Sequence, residues 1–369
     1  MKYVIIYGVS WNNLKVRRYI EKFLDDEYEI LGYSDGHYTS DVVAEKTFFK
    51  PEDICKQPVD FILVNCKTSA TYQAIRRNLV TLGVSAEKII RPTMLTDGYG
   101  IVPIDLVDSI AKQYNQEQGL IFGMSYSTQG ILENNLESPF YDCSWPYFDL
   151  YYNLRIYDYM CEGRIFSKIN AALWVFPYYY FDYDFSLTSD KRWLSALWRL
   201  NDWHNCREDE QLINFKMFAK KVTEFFQMPK CKLGLTNAIN SVADGTETLG
   251  PLWFLDHEAT VLENINLFME FFNKLKARGG KVILIIPPFY LNGLNEVSKN
   301  AFFNKKDKFY SILHQLEKET GKIPIFDYAD RFAGKRENFC EFTHMNITGA
   351  AEFTEILNNE VIRPYILCK

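Results

Sequence analysis

The 369-residue sequence contains no apolar run of about 18 residues, so no membrane-spanning helix is expected. Its opening, Met1-Lys-Tyr-Val-Ile-Ile-Tyr-Gly8, has too short an apolar stretch for a secretory signal, and Gly8-Val-Ser10 reads as a strand-to-turn junction. None of the eight cysteines forms a Cys-x-x-Cys pair. They are scattered through the chain, which fits reduced thiols and a cytoplasmic location better than a disulfide framework or a zinc site. No excess of basic charge exists: the net charge is −6, which argues against a nucleic-acid partner. Repeats and low-complexity tracts are also absent. What is abundant is aromatic: 24 tyrosines and 28 phenylalanines. Most of these rings are expected in the core, although sugar-handling clefts use aromatic faces too.

The N-terminal third alternates strand and helix patterns. Tyr3 to Tyr7, Tyr28 to Tyr33, Pro58 to Asn65 and Ala86 to Arg91 read as strands. A helix capped by Asn12 or Asn13 carries Val16, Ile20 and Phe23 on one face, and a second runs from about Ser69 to Leu82. These elements predict a small Rossmann-like α/β domain over residues 1–95. Its first loop, Gly8-Val-Ser-Trp-Asn-Asn13, lacks two of the three glycines of a dinucleotide fingerprint, so no NAD or NADP site is expected. Asp35 reads as a turn residue, with contact to a ribose hydroxyl as the alternative. The domain is read as a docking or assembly module, and nucleotide-sugar binding is the minority alternative.

Pro92, Gly98, Gly100 and Pro103 mark a linker, with a domain boundary near residue 96 and a helix-like run at Ile104 to Tyr114. The stretch that organises residues 96–369 is Gly119-Leu-Ile-Phe-Gly-Met-Ser-Tyr-Ser-Thr-Gln-Gly-Ile131. It starts as a buried strand and turns at Gly123, so Ser125 falls just past the strand's carboxyl end, where open α/β sheets place ligands. Backbone N–H groups in such a turn suit a developing oxyanion. Far downstream, Phe339-Cys-Glu-Phe-Thr-His-Met-Asn-Ile-Thr-Gly-Ala350 lies between a strand run, Lys322 to Tyr328, and a helix run, Ala350 to Leu357. Of five histidines, His344 alone has an acid three residues upstream in such a loop. A histidine there can take the serine proton, and Glu341 can hold its imidazole in the required tautomer. The plainer alternative is a helix-capping loop with an incidental histidine.

Gly123-x-Ser125 with Glu341-x-x-His344 before the last helix resembles the SGNH (GDSL-type) hydrolase and acyltransferase family. The resemblance covers roughly residues 115–369. It implies a flavodoxin-like three-layer α/β/α domain, with Ser125 as nucleophile, His344 as base and Glu341 as orienter. It also implies oxyanion N–H donors at Ser125 and in the turn after the second strand, at Ser144 or Trp145. Three departures stand out: Met124 replaces the family's aspartate beside the serine, Glu341 replaces an aspartate, and Pro177 to Asp184 replaces the Gly-x-Asn-Asp block. The last of these removes the usual asparagine donor. Gly130-Ile131, Asp149-Leu-Tyr-Tyr-Asn153 and Tyr178 to Ser186 look like a bacterial subgroup associated with surface polysaccharides. The resemblance therefore implies O-acetyltransferase or esterase chemistry on a carbohydrate or polysaccharide. An acyl donor such as acetyl-CoA belongs to the transferase form, and no metal or redox cofactor is required. A non-catalytic carbohydrate-binding or assembly protein on the same fold is the alternative.

The remaining pattern supplies the surroundings. Pro139 to Cys143 reads as a strand, and Ser144 as the cap of a helix through Tyr151, Ile156 and Met160. Ile169 to Phe176 is a buried strand that opens into the aromatic loop. There Tyr178, Tyr179, Asp182 and Asp184 read either as a sugar-binding wall or as a cluster bracing the loop. Helical runs are expected at about 190–200 and 208–226, then an irregular lid or insert at 228–255. His257 to Arg278 is a strong helix with Val261, Ile265, Phe268, Phe272 and Leu275 on one stripe, stopped by Gly279-Gly280. Lys281 to Ile286 is a buried strand that delivers Phe289 and Tyr290 to the same edge as Ser125. His314, in a helix at about 297–320, is expected on the surface.

Overall fold

The computed structural model describes residues 1–9, 14–37, 47–96, 119–162, 171–188, 200, 202–226 and 244–368. Several expectations lie outside them: the Asn12 or Asn13 cap, the helix at 104–114, nearly all of the run at 190–200, and the insert up to residue 243. Among the described residues no helix is long and apolar enough to cross a membrane. The described cysteines form no disulfides. The chain divides into two compact units, Met1–Leu106 with Ser189–Lys230, and Val107–Thr188 with Cys231–Lys369. The sequence pattern suggested a single crossing near residue 96, whereas here the first unit also takes back a later segment.

In the first unit, five parallel strands lie in the order β3-β2-β1-β4-β5. They are β1 (Lys2–Tyr7), β2 (Tyr28–Ser34), β3 (Phe48–Phe49), β4 (Phe61–Val64) and β5 (Ile89–Ile90). Val4, Ile5 and Ile6 are fully buried, as an apolar run in a covered parallel sheet should be. The helix Leu14–Phe23 buries Ile20 and Phe23, and Ser69–Thr81 is capped by Thr68, whose hydroxyl accepts the Thr71 N–H. Gly8, at φ +101°, turns the chain where Asn65 closes in: a Cβ there would stand 2.6 Å from the Asn65 carbonyl. Asp35 is spent on the chain itself, its two oxygens accepting the N–H groups of Val9 and His37. The helix Glu210–Phe226 belongs to this unit through specific bonds. Glu210 accepts the Arg91 N–H at 2.7 Å, Asn214 donates to the Arg91 carbonyl, and the Met217 carbonyl accepts the Asp25 N–H.

The second unit holds another five-stranded sheet, in the order β10-β9-β8-β6-β7, again all parallel. Its strands are β6 (Gly119–Phe122), β7 (Phe140–Asp142), β8 (Ala171–Val175), β9 (Lys281–Ile286) and β10 (Ile325–Asp327). Counted within the unit the order is 2-1-3-4-5, so the winding direction reverses beside β6, the strand that leads to Ser125. The β6 and β8 strands are fully buried, with Leu120, Ile121 and Phe122 opposite Ala172, Leu173 and Trp174. The helix Glu258–Ala277 covers them: Phe268 stacks on Trp174, and Phe271 meets its edge at 4.5 Å. The expected stripe on this helix is buried at Val261, Phe268, Phe272 and Leu275, while Ile265 is half-buried. His314 is exposed.

The start of the helix after β7 differs from the sequence expectation. It spans Leu150–Glu162, and the buried Asp149 does the capping, accepting the Tyr152 N–H at 2.9 Å. Ser144 lies five positions before that cap, ahead of Pro146 and of Tyr147, which sits in the left-handed region at φ +68°. Its hydroxyl and N–H both turn back to Asp142.

Candidate active site

The β6 strand ends at Phe122, and Gly123 makes the turn at φ +141°, a conformation open to few residues with a side chain. A Cβ there would stand 2.8 Å from both the Ser127 hydroxyl and the Val175 carbonyl. The Gly123 N–H donates to Oδ1 of the buried Asn153 at 3.0 Å. Asn153 is itself fixed, donating to the Asp149 carbonyl and to the Tyr180 hydroxyl. The turn thus holds Ser125, half-buried, as the first residue of the short helix Ser125–Gly130.

The second half of the site comes from the loop between β10 and the helix Ile347–Leu357. This loop is tied at several points. The Cys340 N–H donates to the His344 carbonyl, the Tyr290 N–H donates to the Phe342 carbonyl, and Asn346 caps the helix by accepting the Gly349 N–H. His344 is thereby brought to Ser125, with 2.8 Å between Nε2 and the hydroxyl oxygen. On the other side of the ring, Nδ1 meets Oε1 of Glu341, and the Thr343 hydroxyl donates to that same oxygen. An ionised carboxylate can only accept, so Nδ1 carries the proton and Nε2 is left to accept from the Ser125 hydroxyl. Burial pushes the Glu341 carboxyl up, but the hydrogen bonds from His344 and Thr343 and the attraction of the imidazole outweigh it. The net position is below the ordinary glutamate value. A base in the right tautomer beside a hydroxyl, backed by a carboxylate, is the arrangement that activates a nucleophilic serine.

The other sequence candidates are placed elsewhere. The Ser144 N–H donates to Asp142 Oδ1 at 2.9 Å, so its expected oxyanion role is corrected: the donor is already engaged. The expected substrate wall is corrected too, because the loop faces inward. Tyr178, Tyr179, Asp182 and Asp184 are all buried, none more than 8% exposed. Tyr178 donates to Asp327, and Asp182 is paired with Lys305 and Lys308. Asp184 accepts the Ser186 N–H, and Tyr179 reaches the Met124 sulfur. Asn264 ties the loop down by donating to the carbonyls of Phe181 and Tyr183. A buried acid must be paired or hydrogen-bonded, and these carboxylates are satisfied by protein groups.

The sequence pattern did not single out Thr343, Asn153 or Tyr126 as parts of the site. Thr343 is legible in hindsight as a hydroxyl inside the Glu-x-x-His spacing. Asn153 belongs to the Asp149–Asn153 block, where nothing local ties its amide to the turn at Gly123. Tyr126 gives no local signal beyond following the serine. No family model matches this chain, and no curated protein matches it.

Proposed function

We propose that the chain is a serine-dependent acyl-ester enzyme of the SGNH type acting on a carbohydrate. The observation that carries this reading is the unbroken line Ser125 hydroxyl, His344 imidazole, Glu341 carboxylate. In the proposed reaction Ser125 Oγ attacks the acyl carbonyl while His344 Nε2 takes the hydroxyl proton. Glu341 stabilises the imidazolium that forms, and the Ser125 N–H, at the start of its helix, faces the developing oxyanion. The imidazolium then protonates the departing alkoxide of an ester, or the thiolate of a thioester donor, leaving an acyl-serine. Water or a sugar hydroxyl, deprotonated by the same imidazole, attacks that acyl group and restores the serine. Water makes the protein an esterase. A sugar hydroxyl makes it an O-acetyltransferase, with acetyl-CoA as a suitable donor.

The carbohydrate and its place in surface-polysaccharide synthesis rest on the resemblance of the sequence blocks, and the cytoplasmic location on cysteines scattered without a paired motif. The first unit is read as a docking or assembly module. A second reading, a non-catalytic carbohydrate-binding or assembly protein, is favoured by two observations. The Ser144 N–H is engaged, and no Gly-x-Asn-Asp block follows β8. The two are separated by turnover of short acyl esters such as p-nitrophenyl acetate, compared between wild type and Ser125→Ala. Turnover lost in the variant supports the enzyme; an inert wild type supports the binding protein.

A further inference from the structure

The imidazole of His344 is held at both nitrogens, by Glu341 and the Thr343 hydroxyl at Nδ1 and by the Ser125 hydroxyl at Nε2. These partners act at the edge of the ring, and its faces are left to packing. A further constraint comes from a contact on the ring face. Tyr126 supplies one. Its ring lies parallel to the imidazole, with centroids 5.1 Å apart and an interplanar angle of 8°.

Tyr126 is itself held from several sides. It is only 6% exposed. Phe289 meets its ring edge-on at 5.6 Å and Tyr179 at 6.4 Å. Its hydroxyl faces Tyr179, Trp253 and Thr343, and Thr343 in turn donates to Glu341. Trp253, from the insert before the helix Glu258–Ala277, packs on Tyr179 and Phe289 and completes the wall. A ring gripped in this way is a rigid backstop, and side chains that hold catalytic groups have to be rigid themselves.

We propose that Tyr126 is a positioning residue for the reaction, keeping the His344 ring in the orientation that reaches Ser125 and attracting the imidazolium that forms as the serine proton is transferred. This rests on the serine-enzyme reading above. The electron-rich face of an aromatic ring attracts a cation more than a neutral ring. The stack therefore strengthens as the imidazole takes the serine proton, and an interaction stronger in the transition state than in the ground state raises kcat. Tyr126 is buried, so its loss is expected to act on kcat rather than on KM.

The test is steady-state hydrolysis of p-nitrophenyl acetate by the full chain carrying Tyr126→Phe, Tyr126→Leu or Tyr126→Met, each checked by thermal melting. Tyr126→Leu and Tyr126→Met are expected to lose roughly 3- to 30-fold in kcat with KM little changed. Tyr126→Phe keeps the ring and is expected to stay within about threefold of wild type. Wild-type kcat in a folded Leu or Met variant overturns the proposal. So does a loss seen only in KM, or a folded Tyr126→Phe as impaired as the aliphatic variants. Should both aliphatic variants fail to fold, Tyr126→Phe decides alone: a loss above about tenfold overturns the proposal. A wild-type protein inert to esters removes the serine-enzyme reading and this inference together, whereas an active wild type matched by Tyr126→Leu removes only this inference.

Discussion

Replacing Glu341 by glutamine keeps its size and removes one charge, which isolates what the carboxylate does for the imidazolium. Two effects set the magnitude. The first is the tautomer. Both neighbours of Glu341 Oε1 are donors, the Nδ1–H of His344 and the hydroxyl of Thr343. A glutamine amide that turns its carbonyl to that point satisfies both, so the imidazole keeps its proton on Nδ1. The loss then stays short of the ~10⁴-fold cost seen when a triad acid's replacement imposes the wrong tautomer. The second is electrostatic. Two unit charges about 4 Å apart attract by about 4 kcal/mol at an effective dielectric of ~20, or about 10³ in rate. The side chains of His344 and Glu341 are 26% and 39% exposed, so water screens part of that. The expected fall in kcat/KM for Glu341→Gln is therefore about 10²-fold, with the melting temperature nearly unchanged. Adding Thr343→Val releases the amide to flip and should deepen the loss by about another tenfold. The assay is hydrolysis of a short acyl ester across the single and double variants. An active wild type equalled by Glu341→Gln would refute the assignment of Glu341 as orienter. Asp327 cannot take its place, because that carboxylate is engaged by Tyr178 and Tyr310.

Gly123→Ala forces a Cβ to within 2.8 Å of the Ser127 hydroxyl and the Val175 carbonyl, in a backbone conformation that alanine resists. It should lower stability by about 1–3 kcal/mol and ester turnover with it, and a melt and a rate indistinguishable from wild type would contradict the turn geometry. Asp149 is fully buried, and burial pushes its carboxyl up to about 7, against the backbone bonds from Tyr152 and Phe185 that pull it down. A carboxyl that titrates higher folded than unfolded holds extra protons when folded, so stability falls as pH rises from about 4 to about 7, by at most ~4 kcal/mol. Asp149→Asn should flatten the wild-type decline in melting temperature across that window; identical slopes in the two proteins would rule Asp149 out as its source.

Much of this architecture is written locally. The apolar runs of β6, β8 and β9 are buried strands in the structure, and the stripe ended by Gly279-Gly280 is the helix Glu258–Ala277. The acid three residues before His344 is legible because a loop that brings one to the imidazole brings the other. What stayed hidden depends on distant partners. The aromatic loop reads as a sugar platform or as packing until Asn264 and Lys305, from helices far along the chain, are seen to hold it. The return of Glu210–Phe226 to the first unit hangs on bonds to Arg91 and Asp25, more than a hundred residues away. Ser144 and Asp149 are both good helix caps by type, and the turn at Tyr147 between them is invisible in composition. Tyr126 follows the serine with no periodicity to mark it; its stack on His344 joins two segments 218 positions apart.

The central claim, a serine activated by His344, is tested most directly by a serine-directed phosphonate and mass spectrometry. One adduct is expected on wild type, located at Ser125, absent from Ser125→Ala and strongly slowed in His344→Ala. A wild-type protein that takes up no label, or an adduct at another serine that survives Ser125→Ala, would contradict it.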